Sequence, residues 1–217
     1  MTESGARKKL YLASGNPEKL REFQILAAGH ALELELLPGY SALPEFEEAA
    51  PTFAENAAGK ALYYSKHCDG MVFADDSGLV VPALGGAPGV LSARYAGIGA
   101  SSEQRNTKLL GELHGKKGEE RAAYFVCVLA TAQRGRANAV VSAKVDGEIL
   151  EELRGSGGFG YDPVFYFPAL GKTFAQLSAE GKNRQSHRGK AFRRLMEVLE
   201  LKKKMSRVRR IKFCLQA

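Results

Sequence analysis

The sequence of 217 residues has no tryptophan, 3 cysteines, 8 prolines and no long apolar run. Cys68, Cys127 and Cys214 are odd in number and far apart, which suits neither a disulfide framework nor a zinc site built on C-x-x-C spacing. A reducing, cytoplasmic location is therefore expected. Nothing approaches the roughly 20 consecutive apolar residues of a bilayer-spanning helix, so no membrane partner is expected. The opening MTESGARKKLYLASGN has basic residues but no apolar stretch before a cleavage site, which argues against a secretory signal. Internal repeats and low-complexity linkers are also absent. With 45% hydrophobic and 25% charged residues, the composition is that of an ordinary globular chain rather than a disordered or collagenous one. The length favours one domain.

Charge of one sign is scarce except at the end. The formal net charge is +7, but residues 201–217, LKKKMSRVRRIKFCLQA, hold 7 basic residues and no acid. Residues 1–200 carry 24 of each sign. The excess belongs to a basic C-terminal extension and not to the body, whereas a nucleic-acid-binding domain is expected to be basic over its folded surface. Nucleic acid is thus an unlikely partner unless the extension itself recruits it, and such binding would be steeply salt-dependent.

What is present alternates between strand and helix. Residues 9–14 read as a short strand running into Gly15-Asn16-Pro17. Beyond it Leu20, Phe23 and Leu26 share one helical face, with Asn16 as cap and Pro17 at the first helical position. A strand is expected at 32–37. A second helix is expected from Thr52, with Glu55 completing a capping box. A short strand at 71–74 should end in Asp75-Asp76-Ser77-Gly78. A Gly- and Pro-rich loop follows over 84–99, then a helix after Ser101-Ser102. Two long strands at 122–132 and 137–149 form a hairpin. A glycine-rich loop at 155–160, a strand at 163–167 and a last helix at 186–204 complete the chain. The expected class is α/β with a mixed sheet.

Four segments have the composition of a site. Ser14-Gly15-Asn16-Pro17-Glu18-Lys19 joins a strand to a helix N-terminus, where free amides and the helix dipole favour an anion and Lys19 adds charge. Its spacing is not that of a Walker A loop. Asp75 and Asp76 at a strand end are hard oxygen ligands suited to Mg²⁺, provided the strand stops and a loop turns both to one side. Asp-Asp-Ser-Gly is equally good turn chemistry. Glu45, Glu47 and Glu48 form either a further ligand source or a solvated acidic loop. Gly155–Gly160 matches G-x-G-x-x-G, but a strand follows it where a dinucleotide fold needs a helix. Its glycines instead suit close approach to a planar ligand, with Phe159 or Tyr161 for stacking or for the core. Lys182-Asn183-Arg184-Gln185-Ser186-His187-Arg188 gathers donors at a helix start, which suggests a polar or anionic ligand.

Taken together, Ser14–Lys19, FADDSGLVVPALGGAPGVLSARYAG (Phe73–Gly97), GGFGYDPVF (Gly157–Phe165) and SHRGKA (Ser186–Ala191) resemble the inosine triphosphate pyrophosphatase family of bacterial type, the XTP/dITP diphosphatases. The four blocks keep the family's order over residues 9–200. The resemblance implies an elongated mixed sheet with helices on both sides, two lobes around a central cleft within residues 1–200, and residues 201–217 as an appendage. It implies a Mg²⁺-dependent, homodimeric hydrolase of acid anhydrides, cleaving the α–β bond of ITP, dITP and XTP to monophosphate and pyrophosphate and so clearing them from the nucleotide pool. By matching positions, Ser14, Gly15, Asn16, Pro17, Glu18 and Lys19 form the phosphate loop, with Lys60 facing the triphosphate. Asp76 is the implied catalytic base or metal-bound activator of water. Asp75, Asp76 and Glu48 are the implied metal ligands and Ser77 a substrate contact. Phe159, Gly160, Tyr161 and Asp162 match the base pocket, and Lys182, His187 and Arg188 further nucleotide contacts. A donor from His187 or Arg188 to the 6-oxo group would reject adenine. Glu48 is followed by Ala-Ala-Pro-Thr where relatives usually carry Thr-Gly. Two other readings compete: a nucleic-acid-binding module driven by the extension, and a nucleotide pyrophosphatase with other base preferences.

Overall fold

The computed structural model describes the backbone over residues 8–214 and side chains over 9–200. Seven strands, β1 (Lys8–Leu12), β2 (Leu32–Leu36), β3 (Met71–Val80), β4 (Ala122–Gln133), β5 (Arg136–Ile149), β6 (Phe165–Phe167) and β7 (Lys172–Thr173), form one sheet in the order β2-β1-β3-β4-β5-β6-β7. β1 pairs parallel with β2 and β3, and every later pairing is antiparallel, so the sheet is mixed as expected. Parallel pairing needs crossovers, supplied by α1 (Pro17–Ala27) and α2 (Phe53–Tyr64), whereas Arg134-Gly135 suffices to turn β4 into β5. Gly135 and Arg134 both take positive φ, the conformation a tight hairpin turn requires.

The helices cover both faces. α1 and α5 (His187–Cys214) pack Phe23, Phe192 and Leu195 on Leu10, Leu12, Phe73, Cys127 and Leu129. α2 covers the opposite face, with Ala57, Ala61 and Tyr64 on Val72, Ala74, Val128 and Ala130. A third cluster, around Leu79, Leu109, Phe125, Tyr161, Phe165 and Phe174, joins α3 (Ser102–Glu112) to the far half of the sheet.

Local chemistry explains most boundaries. The Asn16 side chain accepts from the Glu18 and Lys19 amides at 2.9 and 3.3 Å, capping α1. Ser101 and Gln104 close a complete capping box on α3. At α2 only half of the expected box forms. Thr52 Oγ1 accepts from the Glu55 amide, but the Glu55 carboxylate accepts from the Thr52 hydroxyl rather than from its backbone.

Two expectations fail. β3 does not stop at Ala74 but runs through Asp75-Asp76-Ser77-Gly78 to Val80, because β4 offers a continuous ladder from Ala132 to Tyr124 against it. Tertiary pairing overrides turn chemistry there. The donor-rich segment placed at the start of the last helix instead falls mostly in a separate short helix, α4 (Ala179–Gln185), capped by Ser178. Ser186 then accepts from the Gly189 amide and starts α5. Helical backbone continues to Cys214, while the side chains of the basic extension lie outside the described residues.

Candidate active site

A cavity of about 730 Å³ is bounded by the β1–α1 turn, residues 45–49, Lys60 of α2, the glycine-rich loop and the start of α5, within the size range of small-ligand pockets. Ser14, Gly15, Asn16, Lys19, Glu48, Lys60 and Ser77 line one end, and Phe159, Gly160, Tyr161, Asp162, Lys182, His187 and Arg188 the other. All four segments singled out in the sequence thus meet on one hollow, the aspartate segment through Ser77 and Gly78, while Asp75 and Asp76 themselves do not line it.

The extension of β3 decides how those aspartates work. Neighbouring strand residues face opposite sides, so the pair cannot act together as a loop would allow. Asp75 faces α1 and α5 and is fully buried. It pairs with Lys19 and, at 3.1 Å, with Arg188 Nε, and it accepts from Ser77 Oγ at 2.9 Å and Cys127 Sγ at 3.2 Å. Burial pushes its pKa up, but Lys19 and Arg188 outweigh burial and hold the carboxyl well below the usual range. Both of its oxygens are occupied, which leaves Asp75 poorly placed as a metal ligand. It organises cations instead.

Asp76 faces α2, and its Oδ2 is buried without a hydrogen-bond partner. Burial and the neighbouring Glu48 carboxylate push its pKa up to about 6, against the pull of Lys19 and Lys60. Glu48 is itself ion-paired with Lys60. An orphaned carboxylate oxygen beside a second carboxylate is what a divalent cation would relieve. Among the described residues no cluster of three or more His, Cys, Asp or Glu stands ready as a metal site. Two carboxylates, Asp76 and Glu48, match the one or two that Mg²⁺ usually takes from a protein.

The phosphate loop also differs from expectation. Asn16 consumes two helix amides, and its own amide donates to Ser14 Oγ at 3.1 Å. Pro17 and Glu18 do not line the cavity; Pro17 starts the helix and Glu18 pairs with Arg21 on the exterior. The side chains of Ser14, Asn16, Lys19 and Lys60 are the ones at this end that could meet an anion.

At the other end, Lys182 lies on α4. It is buried and sits 2.5 Å from both Glu22 and Asp162, with its ammonium 4.5 Å above the centre of the Phe159 ring. Arg188 is likewise engaged, its three nitrogens donating to Asp75, to Glu22 at 2.5 Å and to Ser77 at 2.8 Å. His187 is different. It stacks on Phe125, and burial together with Arg188 and Lys182 keeps its pKa well below the ordinary histidine value. Its neutral ring has a buried Nδ1 with no partner. Of the two expected readers of the base, His187 and not Arg188 has an uncommitted polar atom.

The loop that carries Phe159 is clamped from several directions. Asp162 accepts from the Phe159 amide at 2.7 Å, Asn106 of α3 donates to the Gly160 carbonyl at 3.0 Å, and the Tyr161 hydroxyl donates to the Ser92 carbonyl at 2.9 Å. Sequence reasoning missed Glu22, Ser92, Asn106 and Cys127. Glu22 alone left a signal, as an acid beside Phe23 and four residues before Leu26 on the apolar stripe of α1. Ser92 packs against Gly78, where any Cβ would collide with the Ser92 hydroxyl and the Gly89 carbonyl. Gly78→Ala should therefore displace the 89–94 segment and cost about 1–3 kcal/mol, read as a lower midpoint in urea unfolding.

The Ham1 family model matches residues 10–198. The chain belongs to the Ham1 family. A dITP/XTP pyrophosphatase of Geobacillus kaustophilus is 50% identical over 193 residues, covering 89% of this chain and 95% of that protein. One from Desulfotalea psychrophila is 48% identical over 183 residues, covering 84% of this chain and 81% of that protein. The solved structure of a HAM1 protein from Coxiella burnetii superposes with a TM-score of 0.80 at 40% identity, over 89% of this chain and 98% of its own. The Ham1 match ends before the basic extension and contains every residue that lines the cavity.

Proposed function

We propose that this Ham1-family chain is a nucleoside triphosphate pyrophosphatase that hydrolyses the α–β phosphoanhydride of dITP, ITP and XTP to monophosphate and pyrophosphate. The observation that carries the reading is the cavity's split chemistry, with six basic and four acidic side chains on its wall and an unpartnered Asp76 oxygen behind it. A polyphosphate alone would call for cations only. A polyphosphate carrying a divalent ion calls for both signs, and the relatives named dITP/XTP pyrophosphatase fit that chemistry.

In this reading Ser14, Asn16, Lys19 and Lys60 bind the phosphate chain, and Asp76 and Glu48 hold Mg²⁺. When bound, the ion neutralises charge on the leaving pyrophosphate and lowers the pKa of a water molecule. Asp76 would orient the attacking water and accept its proton. Lys19 and Lys60 stay close to where negative charge accumulates, and their ammonium groups act in a partly dry site where such interactions are strong. Phe159 offers a ring face to the purine, and His187 offers its free nitrogen to the base edge. With the ring proton on Nδ1, that nitrogen donates to a 6-oxo group and is left unpaired by the 6-amino group of adenine.

A panel of dITP, XTP, ITP and the four common deoxynucleoside triphosphates, with kcat/KM and product identity recorded, tests this assignment. Preference for a pyrimidine nucleotide would shift it to the alternative pyrophosphatase. The extension plays no part in the chemistry proposed. A chain truncated after Glu200 should turn over dITP within twofold of the full chain, and a tenfold loss would show that the extension supports the site.

A further inference from the structure

We propose that Arg94 is a positioning residue for Glu48, a latch that keeps this side chain beside Asp76 so that the two carboxylates can hold one divalent cation. The inference rests on the metal-assisted reading above. Residues 45–51 form neither helix nor strand. Their flanks are pinned to α2: the Tyr64 hydroxyl accepts from the Phe46 amide at 3.1 Å, and Asn56 exchanges two hydrogen bonds with the Ala50 backbone at 3.0 and 3.2 Å. Between those pins, over residues 47–49, one hydrogen bond reaches the backbone among the described residues. It runs from Arg94 Nη2 to the Glu48 carbonyl at 2.9 Å, across 46 positions of sequence.

The other end of this latch is firm. Ser92 Oγ accepts from the Leu79 amide at 2.9 Å and donates to the Gly89 carbonyl at 2.6 Å. Arg105 donates to the Ala93 carbonyl at 3.0 Å and Lys108 to the Tyr95 carbonyl at 2.8 Å, so the residues flanking Arg94 are tied down on both sides. Leu79 lies on β3, three residues from Asp76. Through Arg94 and Ser92, the backbone of Glu48 is thus referenced to the strand that carries Asp76. Without this tie, Glu48 would be held in place by its pairing with Lys60, an ion pair that a phosphate entering the cavity competes with. A two-carboxylate site for Mg²⁺ is weak in itself, and loss of fixed geometry in one ligand falls directly on metal affinity.

Arg94 also lines the cavity, so direct contact with the nucleotide is the rival role. The two separate in experiment. Mn²⁺ binding to the nucleotide-free full chain, followed by electron paramagnetic resonance, and the Mg²⁺ concentration for half-maximal pyrophosphate release are measured for the wild type, Arg94→Ala and Arg94→Lys. The latch predicts that Arg94→Ala weakens Mn²⁺ binding and raises the Mg²⁺ requirement by fivefold or more. Saturating Mg²⁺ restores kcat to within twofold, KM for dITP stays within twofold, and the melting temperature is unchanged because the side chain is exposed. Arg94→Lys, which keeps a donor, recovers part of the affinity. A raised KM for dITP with unchanged metal affinity would overturn the latch in favour of nucleotide contact. Unchanged behaviour on all counts, or a wild type that binds no Mn²⁺ at millimolar concentration, would overturn it as well. If the wild type releases no pyrophosphate from dITP, the underlying functional reading fails, which is a different result.

Discussion

Asp76→Asn is expected to lower kcat for pyrophosphate release by roughly 10²–10⁴-fold, the range for loss of a general base, while making the metal-free protein more stable. The two effects share one cause. Asp76 is buried, lacks a partner on Oδ2 and faces Glu48, so its charged form is disfavoured in the native state. Its pKa of about 6 lies above the ordinary aspartate value, and the folded protein therefore binds a proton more readily than the unfolded chain. The stability gap between the metal-free variant and the wild type should therefore narrow as pH falls from about 7 toward about 4, and the charge should cost about 1–3 kcal/mol at neutral pH. An asparagine amide has no charge to bury, so the variant should melt higher at pH 7.5 and lose that part of the pH slope. Adding Mg²⁺ should raise the melting temperature of the wild type and leave the variant nearly unmoved. Calorimetry at two pH values, with and without Mg²⁺, checks all of this. A variant that melts lower than the wild type would mean that Asp76 is a stabilising residue and not one held in readiness.

Arg188→Met should have the largest effect on stability. The guanidinium touches two carboxylates, Asp75 and Glu22, which are otherwise enclosed with only lysine, hydroxyl and thiol partners. Removing one member of such a buried network strands the remaining charges and typically costs about 3–5 kcal/mol. For a chain of this size that is a fall of roughly 10 °C or more in melting temperature. The acid limb should move too. Asp75 has a depressed pKa, so its contribution is present at neutral pH and is lost as pH falls through the carboxylate range. With Arg188 gone its pKa rises, and loss of stability should begin at a higher pH. Thermal melts of both proteins between pH 4 and 8 give the comparison. Equal stability at neutral pH would show that Lys19 alone satisfies Asp75.

Much of this was legible in the residues themselves. Asn16-Pro17, Thr52 and Ser101-Ser102 announced helix starts by capping chemistry, and the two long strand-like runs on either side of Arg134-Gly135 announced the hairpin. Both are local signals. Asp75-Asp76-Ser77-Gly78 misled because its turn propensity is local while the ladder that overrides it comes from β4, some 50 residues away. The consequence for function was direct: the aspartates were expected to share one side and instead divide their work across the sheet. Lys182 and Arg188 were visible as donors, but their carboxylate partners, 160 and 166 positions distant in Glu22, were not. Long-range pairing of buried charges leaves no mark on sequence spacing. Arg94 was equally silent, since it acts through a backbone carbonyl that any residue would supply.

Cleavage of dITP and XTP between the α and β phosphates can be followed by phosphorus nuclear magnetic resonance on a single reaction mixture of enzyme, Mg²⁺ and dITP. dIMP and pyrophosphate should appear in equal amounts, with no orthophosphate and no dIDP, and turnover should be much slower when dATP replaces dITP. Orthophosphate with dIDP, or equal rates on dATP, would contradict this assignment.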